Sequence, residues 1–279
     1  MLQKLVALLA ATSALCSPLG CGHSDATPKR LVPQGIHAHN DHLHTTSLSS
    51  ALDAGVSSVE VDVYLVNGEL VIGPQGRTPR ITLKEGYLFP LLRRVVENDG
   101  WVYPTKRGQS LILLIDVKSD AAPAMRALVD ELKSFGQILT TNRSSDSVDV
   151  AAISVVVTGQ RDTSDALRIG PHVILFDRTS KEQSMPSWLN PLISDAWADH
   201  FEWDGHGAMP AAQQDRLRDY VAAIHRQGKL VRFWNAPDTP ECWKAQQAAG
   251  VDLIHSDRPA QACAFLDTGR MPTTATSQP

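Results

Sequence analysis

The sequence predicts a single-domain α/β protein, a closed (β/α)₈ TIM barrel. Three observations carry that expectation. Apolar strand-like runs recur along the chain, segments of helical periodicity lie between several of them, and polar residues stand at the ends of the runs. Repeated β-then-α units with continuous apolar strands imply a parallel sheet, and eight such units can close into a barrel.

The bulk properties agree. The chain has 279 residues, 43% hydrophobic and 20% charged, which is ordinary for a globular protein with one large core. A net charge of -4, with no basic run that could track phosphates, gives no electrostatic reason to expect a nucleic-acid partner.

At the N-terminus, Lys4 precedes an apolar run from Leu5 to Leu15, then small residues and Cys21. This has the charge, length and flanks of a secretory signal and is too short to span a bilayer. Residues 1–21 are therefore expected to be a leader, with a buried N-terminal helix as the alternative. Pro18-Leu-Gly-Cys21 is similar to a bacterial lipoprotein box, although Pro18 fits it poorly. A lipid on Cys21 would tether the protein to a membrane; without it the protein would be plainly secreted. Either way the expected location is exported: periplasmic, anchored as a lipoprotein, or secreted. Residues 22–33 carry Pro28 and Pro33 and read as a linker, residues 34–268 as the barrel, and residues 269–279 as a frayed tail. Cys242 and Cys263 could pair in an oxidising compartment, and no cysteine pair has zinc-site spacing.

The strand candidates are Gly35–His39, Ser57–Tyr64, Leu111–Val117, Val150–Thr158, His172–Phe176, Leu192–Asp195, Lys229–Trp234 and Val251–His255. Helical periodicity covers Ala121–Phe135, Ala211–Gln227 and Pro240–Ala249, with a further helix near Leu88–Glu97. Val66-Asn-Gly-Glu69 has the chemistry of a tight hairpin turn. Asp195–Trp197 and Trp203–Gly207 read as loop over the barrel mouth.

Residues two apart on a strand face the same way, so His37 and His39 point together, as do Glu60 and Asp62. Two imidazoles beside two carboxylates can hold a divalent cation and move protons. Leu111–Val117 repeats the design and delivers Asp116, followed by Lys118. In such barrels the chemistry sits at the C-terminal strand ends. Acidic and imidazole-bearing ends on the first three strands suit a metal, and Lys118 and Arg232 suit an anionic substrate. Together they predict metal-assisted attack on a phosphate ester. Arg232 and Trp234 share a face and are substrate-contact candidates; a structural ion pair and a core tryptophan are the alternatives. Asp257, before Arg258-Pro259, reads as a turn-former.

HAHND, VEVDVYLVNGELVIG, LLIDVKS and GVDLIHSDRP, in that order, resemble the PLC-like phosphodiesterase superfamily, which includes glycerophosphodiester phosphodiesterases and spider-venom type phospholipases D. The resemblance spans roughly residues 34–265. It implies that His39 is the catalytic histidine with His37 beside it, and that Glu60, Asp62 and Asp116 hold Mg²⁺ or Ca²⁺. It further implies that Lys118 lies near the phosphate and that Asn40 belongs to the first-strand signature at the substrate. The implied substrate is a small-molecule or lipid phosphodiester. One departure matters: Ile72-Gly-Pro-Gln75 stands where the family has a His-Asp pair, with Pro74 in place of the second histidine. His42, His44 or His206 could supply the missing proton donor.

Three functions are therefore weighed. The first is an exported metal-dependent phosphodiesterase acting on a glycerophosphodiester or phospholipid headgroup, weakened at Pro74. The second is a non-catalytic barrel lipoprotein that binds a phosphate ligand. The third is a metal hydrolase of the amidohydrolase kind, disfavoured because Asp177 and Asp195 stand where that chemistry wants histidines.

Overall fold

The computed structural model describes residues 35–44, 47–73, 80–144, 147–162, 174–182 and 185–271. The leader, the linker, Pro74, His172 and most of the tail lie outside the described residues.

Eight parallel strands form the barrel: β1 (Gly35–Ala38), β2 (Ser58–Val66), β4 (Leu111–Val117), β7 (Ile153–Gly159), β8 (Ile174–Arg178), β9 (Leu192–Ala196), β10 (Leu230–Trp234) and β11 (Leu253–Ser256). They pair in chain order, and β1 bonds to both β2 and β11, which closes the ring. β3 (Glu69–Ile72) folds back antiparallel on β2 through Asn67 and Gly68, which sit at φ of 54° and 87°. Positive φ at both central residues is what the primed hairpin turns demand. A small antiparallel pair, β5 (Thr141–Ser144) and β6 (Ser147–Asp149), precedes β7 and was not expected from the sequence.

The helices are α1 (Ser49–Ala54), α2 (Phe89–Glu97), α3 (Ala121–Leu132), α4 (Ala211–His225), α5 (Pro240–Ala249) and α6 (Pro259–Thr268). α5 shows why the boundaries fall where they do. The Thr239 side chain accepts from the Cys242 amide at 3.2 Å, Pro240 opens the first turn, and Gly250 closes the helix at φ 83°. A wider π-type turn, Lys84–Leu88, leads into α2. Among the described residues no helix is long and apolar enough to cross a membrane.

The period-two pattern divides the core into two. Ile112, Leu114, Val156, Leu175, Leu192, Leu230 and Leu253 pack together as the barrel interior. Their outward neighbours, such as Val59, Val61, Leu113, Ile115, Val155 and Val157, join the helices in a larger outer core. This layering has a direct consequence for the site. Stepping two residues along each strand from the interior plug leads to Asp116, Thr158, Asp177, Ser194, Arg232 and His255, all on the inner face toward the mouth.

The segment expected over the mouth lies elsewhere. Trp197 and Trp203 are buried among Phe201 and Phe233, with Trp197 donating to the Trp203 carbonyl at 3.1 Å. Apolar burial of two indoles outweighs any gain from leaving them at the rim. Cys242 and Cys263 are both free thiols.

Candidate active site

The mouth of the barrel holds a cavity of about 330 Å³. His39 and Asn40 enter from the end of β1, Glu60 and Asp62 from β2, and Asp116 and Lys118 from β4. Thr158, Gly159 and Arg161 follow β7, Asp177 and Arg178 close β8, and Arg232, Trp234 and Asn235 come from β10. Asn40 adopts the left-handed region at φ 45°, which turns the chain sharply as it leaves β1.

Glu60 is held rigidly. Its Oε2 accepts from Arg232 at 2.6 Å and from His37 Nε2 at 2.8 Å. Burial works to raise its pKa, but the Arg232 guanidinium and the His37 bond outweigh that and hold the carboxyl well below the usual range. An ionised Glu60 can only accept, so His37 Nε2 carries the hydrogen. Burial and then Arg232 push the His37 pKa down to about 4, so the ring is neutral and its Nδ1 accepts from the Ser58 hydroxyl at 2.9 Å. His37 is fully buried beneath the cavity and does not line it. The expectation that His37 reacts directly is thus corrected: both its nitrogens are committed to holding Glu60 in place.

Asp62 and Asp116 behave differently. Each leaves its Oδ1 buried and without a hydrogen-bond partner. Lys118 reaches their other oxygens, at 2.6 Å to Asp116 and 3.5 Å to Asp62. Even so, burial drives the Asp62 pKa up to about 6, and Asp116 shifts upward for the same reason. One oxygen each from Glu60, Asp62 and Asp116 lies within 4.8 Å of the other two. Buried, unpartnered carboxylate oxygens gathered at one point have the chemistry of a divalent-cation site for Mg²⁺ or Ca²⁺. Gly159 makes room for it: a Cβ there would collide with Asp116 Oδ1 and the Val117 backbone, and its φ of 72° suits glycine.

His39 faces the carboxylates across the cavity. Its Nδ1 bonds Asp257 Oδ1 at 2.7 Å, across 218 positions of chain. Asp257 therefore lies within reach of the chemistry, contrary to its reading as a turn-former. His255 packs its ring against His39, with centroids 4.4 Å apart. Burial first, then the neighbouring His39 and Arg232, push its pKa down to about 2, so it is neutral. From sequence Asp257 reads only as a turn-former, and His255 is given no role. The signal was their position at the end of the last strand, which barrel closure sets beside the first: His37 and His255 are register partners.

The proposed substitutes for a second histidine do not reach the cavity. His42 is buried and accepts from the Asp62 amide at 3.4 Å, His44 follows the turn Asp41–Leu43, and His206 is on an exposed loop. Asp41 is structural, accepting from the Tyr87 hydroxyl and the Leu48 amide, both at 2.6 Å. Arg232 is only 4% exposed and spends one arm on Glu60 and another on Ser194, so it shapes the floor more than it offers a free cation. Trp234, 41% exposed, is the accessible aromatic of the rim.

Comparisons with known proteins bear on this geometry. A glycerophosphodiester phosphodiesterase from Parabacteroides distasonis superposes with a TM-score of 0.52 at 15% identity, over 85% of this chain and 98% of that one. A calcium-dependent phosphoinositol-specific phospholipase C from Pseudomonas sp. superposes with a TM-score of 0.54 at 12% identity, over 84% and 92%. At these identities the likeness is one of fold. In sequence, the chain is 26% identical over 271 residues to the altered inheritance of mitochondria protein 6 homolog of Arthroderma benhamiae, covering 86% of each. It is 25% identical to altered inheritance of mitochondria protein 6 of Eremothecium gossypii, covering 92% of this chain and 75% of that protein. The model of the AIM6-like phosphodiesterase domain matches residues 25–167. The chain belongs to this AIM6-like phosphodiesterase domain family.

Proposed function

We propose that the protein is a divalent-cation-dependent phosphodiesterase acting on a glycerophosphodiester or a phospholipid headgroup. The observation that carries this reading is the cluster of Glu60, Asp62 and Asp116, two of which keep a buried unpartnered oxygen, in one mouth with the His39–Asp257 pair. Glu60, Asp62 and Asp116 would hold Mg²⁺ or Ca²⁺. Such an ion, when bound, neutralises the phosphate and stabilises charge developing on its oxygens.

The chain's own groups supply the rest. Asp257 accepts the Nδ1 hydrogen of His39, which leaves the Nε2 lone pair to take a proton from the attacking hydroxyl or water. Lys118, already bonded to Asp116, stands ready to contact a non-bridging oxygen or to protonate the leaving oxygen. Asn40 and Trp234 would contact the headgroup at the rim. The cavity suits a polyol headgroup by volume and by its charged lining.

The test is hydrolysis of a panel of glycerophosphodiesters and phospholipids with Mg²⁺, Ca²⁺ or Mn²⁺. Divalent-dependent turnover, lost in Asp62→Asn, supports the reading. Binding of glycerophosphate without turnover under any cation would favour the non-catalytic barrel instead.

Export is part of the same proposal: Cys21 would carry a lipid, or the leader would be cleaved without one. Mass spectrometry of the mature N-terminus separates the two. An uncleaved leader would remove both.

A further inference from the structure

A second group of donors stands beside the carboxylates. His39, His255 and Asp257 can each bring one ligand atom within 4.8 Å of the other two. The geometry points to a second metal site at these three residues, selective for a borderline ion of the Zn²⁺ or Co²⁺ kind.

Donor chemistry sets the selectivity. Glu60, Asp62 and Asp116 offer only oxygen and suit hard ions, whereas two imidazoles and one carboxylate suit zinc and its neighbours. Three protein ligands also leave a coordination position open, as in reactive zinc sites. An independent observation points the same way. His255 is 3% exposed, yet its Nδ1 has no hydrogen-bond partner. A buried polar atom of this kind calls for an explanation, and a ligand role toward a cation is one of the few that fit an imidazole nitrogen.

The site is also pre-built. The His39 amide donates to the Ser256 carbonyl at 3.1 Å across the seam of β1 and β11, and the His39 and His255 rings pack with centroids 4.4 Å apart, which fixes the spacing of the two imidazoles. The Asp257 amide donates to Asp238 Oδ2 at 3.3 Å. Arg258 bonds the same oxygen at 3.2 Å and lies over the Trp243 ring at 5.3 Å, so the turn carrying Asp257 is pinned from behind. The Asp257 side chain itself is 61% exposed, which gives an ion a path from solvent.

Binding has a consequence for His39. When an ion takes both atoms, the proton now shared by its Nδ1 and Asp257 Oδ1 is relocated through solvent to Nε2, so the ring stays neutral. Nε2 then carries the ring's hydrogen and cannot accept another. The ion would thus inhibit a reaction that Mg²⁺ or Ca²⁺ supports. Only this inhibition rests on the phosphodiesterase reading; the existence of the site does not.

The test uses the full chain titrated with Co²⁺ in excess Mg²⁺, which keeps the all-oxygen site of Glu60, Asp62 and Asp116 filled, followed by visible d–d absorption and equilibrium dialysis. One Co²⁺ per chain is expected, with affinity reduced at least about tenfold in His255→Gln and in Asp257→Asn, and unchanged in Asp116→Asn. Asp257→Asn decides the matter if His255→Gln fails to fold, because Asp257 lies on an exposed turn. Three results would overturn the site: no Co²⁺ binding, undiminished binding in Asp257→Asn, or loss of binding in Asp116→Asn. A protein that binds Co²⁺ this way but hydrolyses no diester would overturn the phosphodiesterase reading and leave the site standing.

Discussion

The inner and outer faces of the barrel strands use the same residue type to opposite ends. On the inner face of β2 and β4, Asp62 and Asp116 each keep one buried oxygen without a partner. On the outer face of β9, Asp195 is saturated. It accepts from the Ser180 amide at 2.9 Å, the Ser180 hydroxyl at 2.5 Å, the Tyr220 hydroxyl at 2.6 Å and His200 at 2.8 Å. Burial works to raise its pKa, but these donors prevail and hold it below the usual value, whereas Asp62 is pushed up to about 6. The lesson is that a carboxylate at a strand end is not functional by position alone. Unmet bonding capacity on carboxylates that converge at one point marks them for a ligand, and met capacity marks a carboxylate for structure.

That contrast predicts opposite phenotypes. Asp116→Asn should lower divalent-dependent turnover by about a thousandfold, on the scale of losing charge stabilisation in the transition state. Its thermal stability should hold or rise, because burial works against the charged form of Asp116 more than Lys118 supports it. Steady-state kinetics beside a melting curve checks both. A variant with full activity, or one that simply unfolds, would break the comparison.

Asp195→Ala should do the reverse. Four donors lose their acceptor, at a cost on the order of 3 kcal/mol, which for a domain of this size lowers Tm by roughly 6–12 °C. Any turnover should survive nearly intact per folded molecule. A large fall in kcat at unchanged Tm would mean that the outer face of β9 takes part in the chemistry.

Much of this was legible in the sequence. The apolar runs located all eight barrel strands, and period-two alternation put Glu60, Asp62, Asp116 and Arg232 on the inner face. What was not legible depends on contacts across the seam. Asp257 meets His39 only because β11 closes on β1, and an acid followed by Arg258-Pro259 is indistinguishable from a turn in local terms. Period-two parity turns Asp195 outward from β9, but its saturation was not legible, since its donors come from Ser180, His200 and Tyr220 on three other segments. The hairpin of β5 and β6 and the burial of Trp203 were missed because short polar strands and loop tryptophans take their place from tertiary packing.

Between the two extremes stands Asp177, at the end of β8. It is 5% exposed, its Oδ1 lacks a hydrogen-bond partner, and Arg161 lies 3.9 Å away. Burial raises its pKa from 3.8 to about 6, with Arg161 only partly opposing. A carboxyl with a raised folded-state pKa binds its proton more tightly in the native state. Stability should therefore fall as pH rises from 3.8 to about 6, by on the order of 2 kcal/mol. Asp62 adds a fall of the same sign, and Mg²⁺ or Ca²⁺ should cancel that part alone. Denaturant unfolding across this range, with Asp177→Asn as control, measures each share. A flat profile in the cation-free protein would place Asp177 with Asp195 among the satisfied carboxylates.

The smallest effect concerns Asp257, and it refines the comparison more than it threatens it. A buried carboxylate behind a catalytic histidine contributes strongly because low dielectric magnifies its field. Asp257 is 61% exposed, so water screens most of that field, and its main duty is to fix which nitrogen of His39 carries the hydrogen. Asp257→Asn retains a carbonyl oxygen able to accept from Nδ1, so kcat should fall only about tenfold, with KM little changed, while His39→Ala should cost about a thousandfold. The ratio of those two losses reports how dry the His39 side becomes when substrate is bound. If Asp257→Asn matched His39→Ala, the exposed rim would have to close over Asp257 during turnover, and the free structure would understate how tightly this half of the mouth is sealed.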